Sequence, residues 1–182
     1  MLNYFFDLYL YKLKEAVKYA KVAGVSGVHF DYVRFPGSAY QYKNADYGVN
    51  YFIKKATAEI RKVNSNLIVS AALMPEPSGN VYYYGQDMSA MSKYLDAVIP
   101  MVYKGNYNAG TSWITSTTKT LVKQSNGAQV WTGLQSYVSD DYPVKLSASE
   151  LLKDAKAAIN GGATGVVLFR FGISPNLNFN KI

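Results

Sequence analysis

The 182-residue sequence has no cysteine and one histidine, with 49% apolar and 17% charged residues. This describes one globular domain with its own core, spanning residues 1–182, and excludes disulfides, thiolate nucleophiles, cysteine zinc sites and any multi-histidine metal centre. Nineteen basic residues against twelve acidic ones give a net charge of +7, yet no run of Lys or Arg exceeds two residues, so the charge reads as a solvated surface and not as a nucleic-acid footprint.

No stretch reaches the roughly 20 apolar residues of a membrane span, so no membrane insertion is expected. The N-terminus lacks the charged and apolar regions of a signal peptide, so export would rely on a signal outside these residues. Seventeen tyrosines, flat rings with a polar tip, suit protein or sugar surfaces.

Leu10, Leu13, Val17 and Ala20 recur at helical spacing, with Lys12, Lys14, Lys18 and Lys21 off that stripe, which predicts a helix over residues 8–22 stopped by Gly24. Residues 27–36, Gly-Val-His-Phe-Asp-Tyr-Val-Arg-Phe-Pro, then read as a buried strand ended by Pro36-Gly37. Alternation along it puts His29, Asp31 and Val33 on one face and Val28, Phe30, Tyr32 and Arg34 on the other. A carboxylate in such a run either has partners or serves chemistry, because burying it alone costs several kcal/mol.

After a Tyr-rich loop, Asp46 is expected to cap a helix with Val49, Phe52, Ile53, Ala56 and Ile60 on one face, ending near Asn64. Residues 67–73 form the next strand, which runs into Met74-Pro75-Glu76-Pro77, where two prolines stop both helix and sheet. Asp87 is expected to cap a short helix reaching Tyr94. Residues 97–103 form a strand made irregular by Pro100, 112–124 a helix, and 129–134 a strand. Ser147 and Glu150 make a capping box opening a helix to Asn160, and 165–171 form the last strand.

Apolar strands alternating with helices predict a parallel sheet with helices outside it. Two architectures fit the alternation. A doubly wound open sheet accommodates five strands, but its nucleotide-binding version has a glycine-rich phosphate loop after the first, whereas Pro36-Gly37 leads here into Ser, Ala and Tyr. A (β/α)8 barrel needs eight units and roughly 250 residues.

His29-Phe-Asp31-Tyr-Val-Arg34-Phe-Pro36 resembles the strand-four signature, His-x-Asp-Tyr-x-Arg-Tyr-Pro, of a group of glycoside-hydrolase-like TIM barrels. Gln86-Asp87 with Leu95 to Tyr103, then Gly133 to Tyr137, then Gly162 to Phe169 resemble later motifs of that group in the same order. The resemblance implies that the chain carries strands four to eight of a TIM barrel, with the N-terminal units missing. It also implies a glycosidase acting on an extracellular or cell-wall polysaccharide, at the cell surface or outside it, without a cofactor. The expected partners are a carbohydrate polymer and either the rest of the same barrel or a second copy at the open sheet edge. The alternative is a non-catalytic carbohydrate-binding or adhesion barrel.

Glycoside hydrolysis needs two carboxyl groups, one donating a proton to the leaving oxygen and one acting as nucleophile or base. In a barrel they stand at the C-terminal ends of strands, where this chain offers Asp31, Glu76, Asp140 and Asp141. Asp31 and Glu76 follow consecutive strands and form the candidate catalytic pair, with Asp31 as nucleophile or base and Glu76 as acid. This resembles the strand-four Asp and strand-five Glu of amylase-like barrels. In family 18 chitinases the fourth strand resembles Asp-x-Asp-x-Glu, and here the position of the acid holds Val33. His29, Arg34, Tyr103, Gln135, Arg170 and Tyr83 are the candidate substrate-binding residues, and Trp131 is expected to pack in the core.

Overall fold

The computed structural model describes the backbone of residues 2–182 and the side chains from Leu10 onward. Five strands form one sheet: β1 (Gly27–Phe30), β2 (Ile68–Leu73), β3 (Ala97–Pro100), β4 (Gln129–Gln135) and β5 (Gly165–Phe169). They lie side by side in chain order, and every neighbouring pair is parallel. Sequential order without reversal is the winding of a barrel wall and not of a doubly wound sheet. The helices are α1 (Leu2–Ala20), α2 (Ala45–Val63), the short α3 (Met88–Met91), α4 (Thr111–Gln124) and α5 (Ala148–Asn160).

The pleat separates two unlike faces. Phe30, Val69, Ala71, Leu73, Val98, Val130 and Leu134 belong to the core, together with Ile53, Ala56 and Ile60 of α2, Ile114 and Leu121 of α4, and Leu151, Ala155 and Ala158 of α5. Phe30 meets Phe52 edge to face, with centroids 5.3 Å apart. The alternate positions line the opposite, concave face of this curled half-barrel. There Ile68 is 43% exposed while its neighbour Val69 is 0%, which places the main core between sheet and helices. Trp131 lies on the concave face, half-buried, its Nε1–H donating to Gln129 Oε1 at 2.8 Å.

Several boundaries differ from the sequence pattern, α1 running over Leu2–Ala20, α3 ending at Met91 and β5 at Phe169, and three further differences have a local reason. β1 ends at Phe30, because Tyr32 takes a left-handed conformation (φ 57°) that breaks the two-residue alternation. Val33 therefore does not continue the face of His29 and Asp31; it packs with Phe35 against the core. β3 stops at Pro100, which has no N–H for the ladder, and only a bridge from Met101 to Gly133 carries the pairing on. A Cβ at Gly133 would stand 3.1 Å from the Pro100 carbonyl oxygen, a tight contact that glycine avoids. Finally, Asn44 precedes α2 in a left-handed conformation and Asp46 sits inside the first turn, where a carboxylate still favours the helix dipole. Asp87 and Ser147 cap α3 and α5 as expected, their side chains accepting from the N–H groups of Ala90 and Glu150.

The loop after β3 is anchored by charge. Lys104 Nζ lies 2.8 Å from Asp154 Oδ2 and 3.0 Å from Glu150 Oε1, with the Asp154 side chain only 2% exposed. Burial acts to lower the Lys104 pKa, but the bonds to Asp154 and Glu150 outweigh it and the net shift is upward, which keeps the ammonium charged. Removing Asp154 leaves Lys104 with only the more exposed Glu150 as counter-charge and removes the buried member of the cluster. Asp154→Ala is expected to destabilise the protein by about 3 kcal/mol, measured by urea denaturation, and to loosen the β3–α4 loop; a loss below about 1 kcal/mol would show that the pair is dispensable.

Candidate active site

The parallel sheet sends all five strands' C-terminal ends to one rim, where the apolar β pattern gives way to polar and aromatic loops. Past β2, the Pro75-Glu76-Pro77 sequence cannot continue the ladder and turns into a π-helical segment, Asn80–Tyr84. Asn80 fixes that turn, its Nδ2 donating to the Met74 carbonyl at 2.7 Å and its Oδ1 accepting from the Glu76 N–H at 3.2 Å. Glu76 Oε1 accepts two phenolic hydrogen bonds, from Tyr84 at 3.1 Å and from Tyr107 at 2.8 Å. Burial and the bonds to Glu76 push both tyrosine pKa values up, opposed by nearby Arg34, so the phenols stay protonated donors. Glu76 Oε2 makes no hydrogen bond among the described residues and lies beside Gly79, where a Cβ would come within 3.1 Å of it.

Asp31 follows β1 directly and is exposed; its carboxylate accepts from the Tyr32 N–H at 2.8 Å and forms no ion pair among the described residues. Neither the His29 nor the Arg34 pairing that would make it purely structural is present. His29 stands two residues back along the concave face, its Nδ1 2.9 Å from Ser70 Oγ, the register partner on β2. Partial burial lowers the imidazole pKa and the Asp31 charge opposes that.

Arg34 is half-buried between rings, its guanidinium carbon 4.2 Å from the Tyr32 centroid and 5.4 Å from that of Tyr84. Tyr103, beyond β3, stacks on Phe169 of β5 at 5.6 Å. Its pKa is raised by burial and then by Tyr137, Asp31 and Asp140, which puts its hydroxyl within the fields of carboxylates from two sides of the rim. Gln135 is buried and donates to Asn106 Oδ1 at 2.9 Å. Asp140 accepts from Tyr137 at 2.6 Å and from Asn106 at 2.7 Å. Arg170 is exposed and lies over the Tyr137 ring at 5.7 Å.

Tyr83, 45% exposed, meets Tyr82 edge to face at 4.8 Å, and Tyr82 stacks on Tyr40 at 5.0 Å. The rim thus gathers Arg34, Glu76, Tyr84 and Tyr107 in one cluster and Tyr103, Gln135, Tyr137 and Asp140 in another, with Asp31 acting on Tyr103. His29 lies below both. Tyr84, Tyr107 and Asn106 are the rim residues that the strand pattern passes over, while Asp140 is offered by that pattern but left out of the candidate set. Asp140 carried a signal, being an acid just past a strand end; the others depend on how the loops fold.

A parallel half-barrel with its polar and aromatic loops gathered on the C-terminal rim defines the class: a partial domain of the (β/α)8 type. The chain belongs to the family described as "Putative glycosyl hydrolase domain", whose model matches residues 4–151. Among solved structures it is similar to the glycoside hydrolase domain of PgaB (BpsB) from Bordetella bronchiseptica, with a TM-score of 0.69 and 15% identity over 90% of this chain and 57% of that one. It is also similar to the spore cortex-lytic enzyme SleL of Bacillus megaterium QM B1551, with a TM-score of 0.63 and 18% identity over 96% of this chain and 51% of the other. The chain thus spans little more than half the length of either structure, and the likeness establishes the fold. No curated protein matches its sequence.

The buried Gln86 amide ties the rim together, accepting from the Met74 N–H and donating to the carbonyls of Val33 and Ala72. Gln86→Leu strands these backbone groups and is expected to cost about 2–3 kcal/mol in chemical denaturation, with faster proteolysis in the segments around Val33 and Met74; unchanged stability would contradict the bridging role. His29 gives a pH test. Because its folded pKa lies below the ordinary 6.5, the unfolded state binds more protons as pH falls through that value, and stability is lost on acidification. His29→Gln is expected to flatten that part of the stability profile between about pH 7.5 and 5, measured by thermal melts.

Proposed function

We propose that this domain hydrolyses an extracellular or cell-wall polysaccharide, with Asp31 and Glu76 as the carboxyl pair. The observation that carries this reading is the placement of both acids just beyond neighbouring parallel strands, with Glu76 held at one oxygen by Tyr84 and Tyr107. Fixing Oε1 leaves Oε2 as the oxygen that transfers a proton to the glycosidic oxygen. Asp31, exposed and unpaired, attacks the anomeric carbon or activates water from the other side of the bond; the two geometries correspond to carboxyl separations of about 5 Å and about 6.5–9.5 Å.

Tyr103 and Gln135 form the polar wall, Arg34, Arg170 and His29 supply further contacts, and Tyr83 offers a ring on which a sugar stacks. The domain spans residues 1–182. The free edges of β1 and β5 and the partly covered concave face support its completion by further strands. Membership of the glycosyl hydrolase family supports the reaction class. The description of one structural neighbour as a spore cortex-lytic enzyme supports a wall polymer, and a substrate of that kind requires a location at or outside the cell surface.

The test is release of reducing ends from a panel of wall and capsular polysaccharides by the complete protein. Asp31→Asn and Glu76→Gln are each expected to lower turnover by about 10²–10⁴-fold, and Tyr107→Phe, which removes one bond to Glu76, by about 10-fold. Turnover that survives both carboxyl substitutions would refute the pair. Glycan binding by the unsubstituted protein without turnover would instead identify a carbohydrate-binding module.

A further inference from the structure

We propose that Arg34 binds a carboxylate on the substrate, so that the site takes an acidic glycan; the inference rests on reading the rim as a glycan site. The two partly buried cations of this region are satisfied very differently. Lys104 has two carboxylate partners. Arg34, at comparable depth, has no ion pair among the described residues, and its one hydrogen bond runs from Nη1 to the adjacent Phe35 carbonyl at 3.3 Å. Its Nε is buried without a partner. A half-buried guanidinium with no counter-charge and a buried N–H without an acceptor is costly, so the arrangement is one that an incoming anion completes.

The surroundings fit a planar anion. Tyr32 and Tyr84 lie against the guanidinium, which orders its plane and leaves N–H groups of the fork for a carboxylate, the geometry in which arginine binds two oxygens at once. Glu76, which shares Tyr84 with Arg34, forms no ion pair with it, and its Oε1 takes its donors from Tyr84 and Tyr107. Tyr84 touches both groups, so an anion on Arg34 sits next to the proposed scissile bond. The stacked Tyr40 and Tyr82 with Tyr83 extend the same rim as an apolar floor for a neighbouring sugar, and a net charge of +7 attracts a polyanion. A neutral glycan offers Arg34 hydroxyl acceptors but neither a counter-charge nor two coplanar oxygens for the fork, which favours the acidic glycan over it.

The carboxylate has two chemical sources, a uronic acid and the lactyl ether of a muramic acid residue. Calorimetry on the complete protein, carrying Asp31→Asn to suppress turnover, compares a penta-galacturonate, an N-acetylmuramic acid-containing tetrasaccharide, and the carboxyl-reduced form of each. At least one acidic probe is expected to bind about 10- to 100-fold tighter than its reduced form, and the identity of that probe names the source. Arg34→Gln should erase the difference, and Arg34→Lys should restore only part of it because an ammonium lacks the fork.

Equal affinity for acidic and reduced forms, absence of binding by either acid, or equal weakening of both forms in Arg34→Gln would overturn the proposal. The comparison of acidic with reduced probes needs no Arg34 variant to fold. Turnover retained by Asp31→Asn would refute the carboxyl pair and leave this difference in affinity standing, so the two readings fail separately.

Discussion

The site depends on a side chain that performs no chemistry. Where parallel strands end, the ladder stops satisfying backbone N–H and C=O groups, yet the departing loops must remain partly buried to hold a rim in place. Gln86 resolves this with an amide that behaves as one more peptide unit, accepting from Met74 and donating to Ala72 on one strand's exit and to Val33 on its neighbour's. Asn80 does the same one step further out, joining Met74 to Glu76. The segments bearing Asp31 with Arg34 and Glu76 are therefore registered against each other by side-chain amides, beyond the point at which the sheet can register them. Both amides occupy an excursion that leaves the sheet after β2, and so the polar order of the rim is built into that one loop.

The sheet itself obeys a simpler constraint. Helices cover one face only, so the apolar positions that pair with them must alternate with positions facing the concave side. Val69, Ala71 and Leu73 against Ile68, Ser70 and Ala72 show the division within a single strand. The concave side carries small and amphipathic groups as well as apolar ones, including His29 hydrogen-bonded to Ser70. This explains why the histidine, which shares a face with Asp31 on paper, belongs to the interior of the half-barrel while the acid belongs to its rim.

All five strands are visible in the sequence, because each is an apolar run closed by Gly, Pro or a polar loop, and the α2 stripe is visible because its period is helical. Asp31, Glu76, Tyr103 and Gln135 are visible as rim residues because a barrel-type sheet carries its C-terminal strand ends, and the first residues beyond them, to one open edge. The end of β1 is not visible, since nothing in a Tyr residue announces the left-handed turn that Tyr32 makes. Asn44 and Asp46 are equally good cap residues by type, and only the backbone path separates them. The Lys104 cluster joins residues 46 and 50 positions apart, and the Asn106–Asp140 contact joins two loops. Such pairings depend on the packed positions of α5 and the β4 loop, and local periodicity carries no trace of them.

The choice of phenols to hold Glu76 has a consequence for the charge of the rim. A carboxylate clamped by arginine or lysine would be neutralised, and both the acid and the base would be withdrawn from substrate. Two tyrosine hydroxyls orient the group while adding no charge, and burial keeps them protonated. The Glu76 carboxyl group and the positive charge of Arg34 then remain separate, with Tyr84 between them in contact with both. On the proposed reading, a site arranged in this way holds a carboxyl group and a cation side by side without letting them cancel, and offers both to a substrate.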